Sequence, residues 1–196
     1  MELKTAQNLH VGVELGGTSC KAAIFRKEVV ADSATFERIC YAEFQTSHED
    51  PYVTYDEIKV WLLTKLHETD GSAAVLPASL GIAAFGPMCL DKTSPQYGCI
   101  TTTPKLAWQN FPVYSLFRED FGFIDRDGLF IDTDVNVCAL FEFQEAKLEQ
   151  AVRESMCYVT VGTGVGIGLI INEQCVHGMM HPEGGHIRVP LHRKDI

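Results

Sequence analysis

Two apolar runs, each broken once by closely spaced glycines, constrain this chain more than any other feature. His10 to Leu15 leads into Gly16-Gly17-Thr18 and resumes over Cys20 to Phe25. Cys157 to Val161 leads into Gly162-Thr163-Gly164 and resumes over Val165 to Ile171, ahead of Asn172-Glu173. Apolar stretches of strand length on both sides of a glycine turn read as β-hairpins. The same organisation therefore opens each half of the sequence, and the two turns are expected to face each other.

The residues between the hairpins alternate in period. Thr54 and Glu57 form a capping box, and Tyr55, Ile58, Trp61, Leu62 and Leu66 recur at helical spacing until Asp70-Gly71, which predicts a helix with one stripe facing a sheet. Leu80 to Phe85 reads as a buried strand broken by Gly86-Pro87. Thr101-Thr102-Thr103-Pro104-Lys105 and Trp108 read as an exposed segment, and Val113, Leu116, Phe117 and Phe121 as a short helix ending at Gly122. Leu129-Phe130-Ile131 is a further strand. It runs through Asp132-Thr133-Asp134-Val135-Asn136 into a helical pattern at Ala139, Leu140, Phe143 and Ala146. Strands and helices in this alternation predict an α/β fold.

At 196 residues and 46% hydrophobic content the chain can bury a substantial core. A net charge of -10 argues against a nucleic-acid partner, because phosphate-backbone contacts need clustered Lys and Arg. No apolar stretch reaches the roughly 18 residues of a membrane span, and Met1 to His10 lacks an apolar signal core, so a cytoplasmic chain is expected. Seven scattered cysteines, none in a C-x-x-C pair, read as reduced thiols packed in the core.

Four segments carry candidate chemistry. Gly16-Gly17-Thr18 lacks two successive Cβ atoms, so its backbone N–H groups can approach an anion and Thr18 adds a hydroxyl; an ordinary hairpin turn fits the same residues. Lys21 is a further candidate for phosphate contact, or a solvated surface lysine. Gly162, Gly164, Gly166 and Gly168 strip one face of a strand, which requires a ligand or another backbone close by. This is neither a dinucleotide fingerprint, since Ile167 stands where the third glycine belongs, nor a Walker turn, since no lysine follows. Asp134, at the mouth of a helix, suits either a helix cap or a base that takes the proton of an attacking hydroxyl. The helix field favours its ionised form by about 0.3–1 kcal/mol. His181-Pro182-Glu183-Gly184-Gly185-His186 offers a carboxylate and an imidazole suited to sugar hydroxyls or to a metal.

In this order and spacing the chain resembles the ROK family of sugar kinases (repressors, open reading frames, kinases), its fructokinase branch in particular. The matching segments are residues 12–18, 81–87, 103–105, 132–136, 162–166 and 181–187. The resemblance implies an actin-like, ribonuclease H-like ATPase fold. Residues 1–130 would form the N-terminal lobe and 131–196 the beginning of a truncated C-terminal lobe. It implies ATP and Mg²⁺, with hexose and nucleotide as small-molecule partners, and leaves room for a homodimer. Asp134 falls on the catalytic base. Gly16, Gly17, Thr18, Lys21, Gly162, Thr163 and Gly164 fall to the phosphates, and Gly86, Pro87, Thr133, Glu183 and His186 to the sugar.

His186 also matches the family's first zinc ligand, the remaining ligands lying beyond the last residue, so Zn²⁺ would belong to a longer form. The Pro182 and Asp-Thr-Asp-Val-Asn details resemble fructokinases, implying transfer to the 6-hydroxyl of fructose. Ser19-Cys20 departs from the Lys and aromatic residue usual in that branch. Two rival expectations stand beside the enzyme. One is a sugar-sensing or binding module, although only about ten residues precede the first turn, too few for a helix-turn-helix. The other is a truncated chain that keeps sugar binding and lacks nucleotide binding.

Overall fold

The computed structural model describes residues 4–30, 33–72, 75–124, 126–149, 154–162, 164–177, 183–188, 190 and 194. Thr163, His181 and Pro182 lie outside them. The chain divides into two compact units, Met1–Asp134 and Val135–Ile196.

In the first unit, β1 (Lys4–Leu15), β2 (Ser19–Val30) and β3 (Ser33–Gln45) form an antiparallel meander. The chain then crosses through α1 (Pro51–Asp70) to β4 (Val75–Ala84), parallel to β1, and through α2 (Val113–Asp120) to β5 (Leu129–Thr133), parallel to β4. The sheet order is β3-β2-β1-β4-β5. Alternation explains its buried face: Leu9, Val11, Val13 and Leu15 share one cluster with Ile58, Leu62 and Leu66 of α1 and Val113 and Phe117 of α2. Tyr55 ties the two helices together. Its ring meets Phe117 edge-on at 5.1 Å, and its hydroxyl donates to Asp120 at 2.5 Å.

Two sequence expectations need correction here. The long helix starts at Pro51, not at a capping box on Thr54. Asp50 caps it by accepting from the Tyr52 N–H at 2.9 Å, and proline at the first helical position costs no hydrogen bond. Thr54 is buried instead, its hydroxyl accepting from the Ser47 N–H at 2.8 Å. The helix does end at Asp70, where Gly71 adopts φ 74° and donates to the His67 carbonyl. Second, Trp108 and Thr103 are not exposed. Trp108, in a 3₁₀ turn over Leu106–Trp108, is fully buried between Phe85 and Phe111. Its indole N–H donates to the Ser47 carbonyl at 2.8 Å, which removes the penalty of burying that group.

In the second unit, α3 (Asp134–Leu148, all but its first residue) lies with a sheet of β6 (Ser155–Val161), β7 (Val165–Ile171) and β8 (Gln174–Cys175). Ala139, Phe143 and Ile170 form its core. The cysteines depart from a uniformly buried set: all seven are free, Cys20 is buried, and Cys138 and Cys157 are exposed. No helix among the described residues is long and apolar enough to cross a membrane.

Neighbouring leucines of α1 test this packing. Leu62→Ala should lower unfolding stability by about 2–5 kcal/mol and Leu63→Ala, on the outer face, by no more than about 0.5 kcal/mol, measured by urea denaturation.

Candidate functional site

The first glycine turn joins β1 to β2, and a residue remote in sequence fixes it. Thr46, just past β3, is buried; its hydroxyl donates to the Gly16 carbonyl at 2.8 Å and its N–H to the Thr18 carbonyl at 3.1 Å. With that hydroxyl's proton used, its oxygen accepts from the Cys20 thiol at 3.3 Å. Burial pushes the Cys20 thiol up, so the sulfur packs as a neutral group. The turn's carbonyls are thus tied inward. The N–H groups of Gly17 and Thr18 donate to no acceptor among the described residues. A Cβ on Gly16 would overlap the Ser19 carbonyl oxygen, so the chain folds back too tightly for any side chain there.

Register brings the other candidates of this unit to the same edge. Leu15 is paired with Ala84 and Ala84 with Thr133, so β1, β4 and β5 end side by side. The Gly16–Thr18 turn, the Gly86–Pro87 pair and Asp134 leave the sheet at that common edge. Carboxyl ends of adjacent parallel strands, where the connections diverge, are where open α/β sheets bind ligands. The Pro87 carbonyl is occupied, accepting from the Thr101 N–H at 2.7 Å and hydroxyl at 3.0 Å. Thr133 is buried, and Asp134 is half-buried as the first residue of α3.

Lys21 is engaged elsewhere than at the turn. Its ammonium donates to Glu14 Oε2 at 2.9 Å, and that bond raises its pKa. The other oxygen, Glu14 Oε1, lies 3.9 Å from where a Gly16 Cβ would stand. A carboxylate beside a phosphate-type turn fits the needs of magnesium, which takes one or two protein carboxylates alongside phosphate oxygens.

The second hairpin, in the other unit, separates its glycines into two kinds. Side chains at Gly162 or Gly164 would meet nothing within 4 Å. A Cβ on Gly166 would stand 2.6 Å from Val135 Cγ1, and one on Gly168 would overlap the Val135 carbonyl and lie 2.8 Å from Ala139 Cβ. The bare face of β7 is therefore covered by another backbone, that of α3. Gly185 is pressed against β7 in the same way, meeting the Val165 carbonyl, whereas a Cβ on Gly184 would make only ordinary contact with the Ile167 side chain at 3.4 Å. Glu183 and His186 flank this contact, with His186 Nδ1 3.3 Å from Glu183 Oε2 and His186 largely exposed. Among the described residues no three His, Cys, Asp or Glu side chains cluster to hold a metal.

Two features of the site escape sequence reasoning. Thr46 carries no local signal, because its role depends on β3 returning beside β2. Lys105 does sit in a segment read as exposed, yet its Cε lies 3.4 Å from the Cβ position of Gly17.

The mixed sheet in this order has the actin-like ATPase fold of its structural neighbours. The sequence pattern of the ROK family matches residues 10–195, and the chain belongs to that family. It is 48% identical over 119 residues to a fructokinase of Zymomonas mobilis, covering 60% of this chain and 37% of that protein. To a putative fructokinase of Bacillus subtilis it is 34% identical over 185 residues, covering 94% and 54%. The ROK hexokinase of Thermus thermophilus shares the fold at TM-score 0.64 and 24% identity, over 93% of this chain and 54% of that one. The chain thus spans about half the length, or less, of the relatives it matches.

The glycine contacts predict a contrast within the second unit. Gly168→Ala and Gly185→Ala should each lower stability by about 1–3 kcal/mol through overpacking, whereas Gly162→Ala and Gly164→Ala should stay within about 0.5 kcal/mol, read from denaturant unfolding.

Proposed function

We propose that this chain carries the phosphate turn and the catalytic base of an ATP-dependent hexose kinase, with fructose as substrate and its 6-hydroxyl as acceptor. One observation carries the reading: three adjacent parallel strands end in register, and their ends bear the glycine turn, Gly86-Pro87 and Asp134. The fructokinase relatives support fructose over other hexoses.

In this reading the Gly17 and Thr18 N–H groups hold the phosphate chain of ATP, aided by the Thr18 hydroxyl. Gly162, Thr163 and Gly164 of the second turn serve the same phosphates, and Gly86, Pro87, Thr133, Glu183 and His186 serve the sugar. Asp134 accepts the proton of the sugar hydroxyl as its oxygen forms a bond to the γ-phosphorus, while the bond from that phosphorus to the bridging oxygen breaks and ADP departs. Magnesium, when bound, neutralises charge on the phosphates, and Glu14 is the carboxylate available to it. The protein's own share is positioning and fixed dipoles, which need no rearrangement at the moment of transfer.

Asp134→Asn should lower hexose-dependent ADP release in the full chain by about 10²- to 10⁴-fold while leaving fructose and ATP affinities within a few-fold. Turnover that survives this change would refute the assignment of the base. Calorimetric titration with fructose, and with ATP and magnesium, separates the classes: heat from fructose alone would favour a non-catalytic sugar-binding protein.

A further inference from the structure

We propose that Lys105 is the cation that grips the phosphate chain at the first glycine turn, the part that a Walker lysine plays where one follows such a turn. The inference deepens the kinase reading and rests on it. Lys105 is held in place before any ligand arrives. Its carbonyl accepts from the Trp108 N–H at 2.9 Å and its N–H donates to Thr103 Oγ1 at 3.4 Å. Trp108, fully buried, bonds to the carbonyl of Ser47, and Ser47 follows directly on Thr46, the residue that ties down the glycine turn. One short loop therefore fixes both the turn and the segment bearing the lysine.

The side chain reaches back over the turn. Its ammonium lies 4.0 Å from the position a Gly17 Cβ would take, and 6.0 Å from the centroid of the Phe85 ring. A Cβ at residue 17 would stand against the lysine side chain, 3.4 Å from its Cε.

The charge is also uncompensated. Lys21, Lys59, Lys65 and Lys147 each contact a carboxylate within 4 Å, whereas Lys105 makes no ion pair among the described residues. Its polar partner is His48 Nδ1 at 3.3 Å. An ammonium has no acceptor to offer, so Nδ1 must accept and the imidazole in this contact is neutral. The pair thus holds one positive charge beside two backbone donors that have no acceptor among the described residues. A phosphate group would satisfy all three. Lys21, the lysine that the sequence offers for phosphate contact, donates to Glu14.

Calorimetry on the full chain, with inorganic tripolyphosphate as a probe and then ATP with magnesium, tests this. Lys105→Met should weaken both by roughly ten- to a hundredfold, the range for one charge-assisted hydrogen bond, and leave fructose binding unchanged. Lys105→Arg should recover most of the loss, and the control Lys92→Met, at an exposed site, should lose nothing. Should Lys105→Met fail to fold by circular dichroism, Lys105→Gln takes its place. Equal affinity in Lys105→Met and the unaltered chain overturns the inference alone, as does an equal loss in Lys92→Met. No phosphate binding by the unaltered chain overturns it together with the kinase reading.

Discussion

The parallel pairing of β1 with β4, and of β4 with β5, is the constraint on which the first unit's chemistry depends. Side chains alternate along a strand, so a slip of one residue would turn Val11, Val13 and Leu15 out of the core and bring Glu14 into it. The apolar face therefore fixes the register, and the register fixes where each strand stops. Three strand ends that coincide at Leu15, Ala84 and Thr133 gather a turn, a loop and an aspartate that are far apart in sequence. No direct bond between them is needed for this. The hydrophobic packing of α1 and α2 with Leu9, Val11, Val13 and Leu15 does the aligning.

The second unit uses glycine for a different end. At Gly168 and Gly185 the missing side chain lets backbones of α3, β7 and the Glu183–His186 segment approach one another closely, and at Gly166 it makes room for the Val135 side chain. Gly162 and Gly164, at the tip of the hairpin, open onto free space. A run of alternating glycines that looks uniform as sequence thus divides into packing positions and tip positions, and a functional reading attaches to the second kind alone.

Much of the architecture was legible in the sequence because local signals agree with the tertiary outcome. Both hairpins, the stop of α1 at Gly71, the strand before Gly86 and the strand-to-helix passage at Asp134 belong to this group. What sequence reasoning missed depends on partners remote in the chain. β3 carries Glu37, Arg38 and Glu43 on an edge strand and owes its form to pairing with β2, with Cys40 and Phe44 packing against the core. Trp108 stands among polar residues and is buried only because Phe85, Phe111 and the Ser47 carbonyl converge on it. Thr54 has the spacing of a cap, yet the cap is Asp50, four residues sooner, and the helix begins at Pro51. The site follows the same rule: its glycines and aspartate are readable one by one, whereas Thr46 and Lys105 acquire meaning only from the company they keep in space.

The double anchorage of the glycine turn by Thr46 bears on the thermodynamics of capture. A loop that is loose before binding must surrender conformational freedom to close on an anion, and that loss detracts from affinity. Here the carbonyls of Gly16 and Thr18 are already bonded to a buried residue, so the backbone has little disorder left to lose. In the proposed function the turn would act as a rigid receptor rather than a folding clasp, with most of the ordering entropy spent when the chain folds.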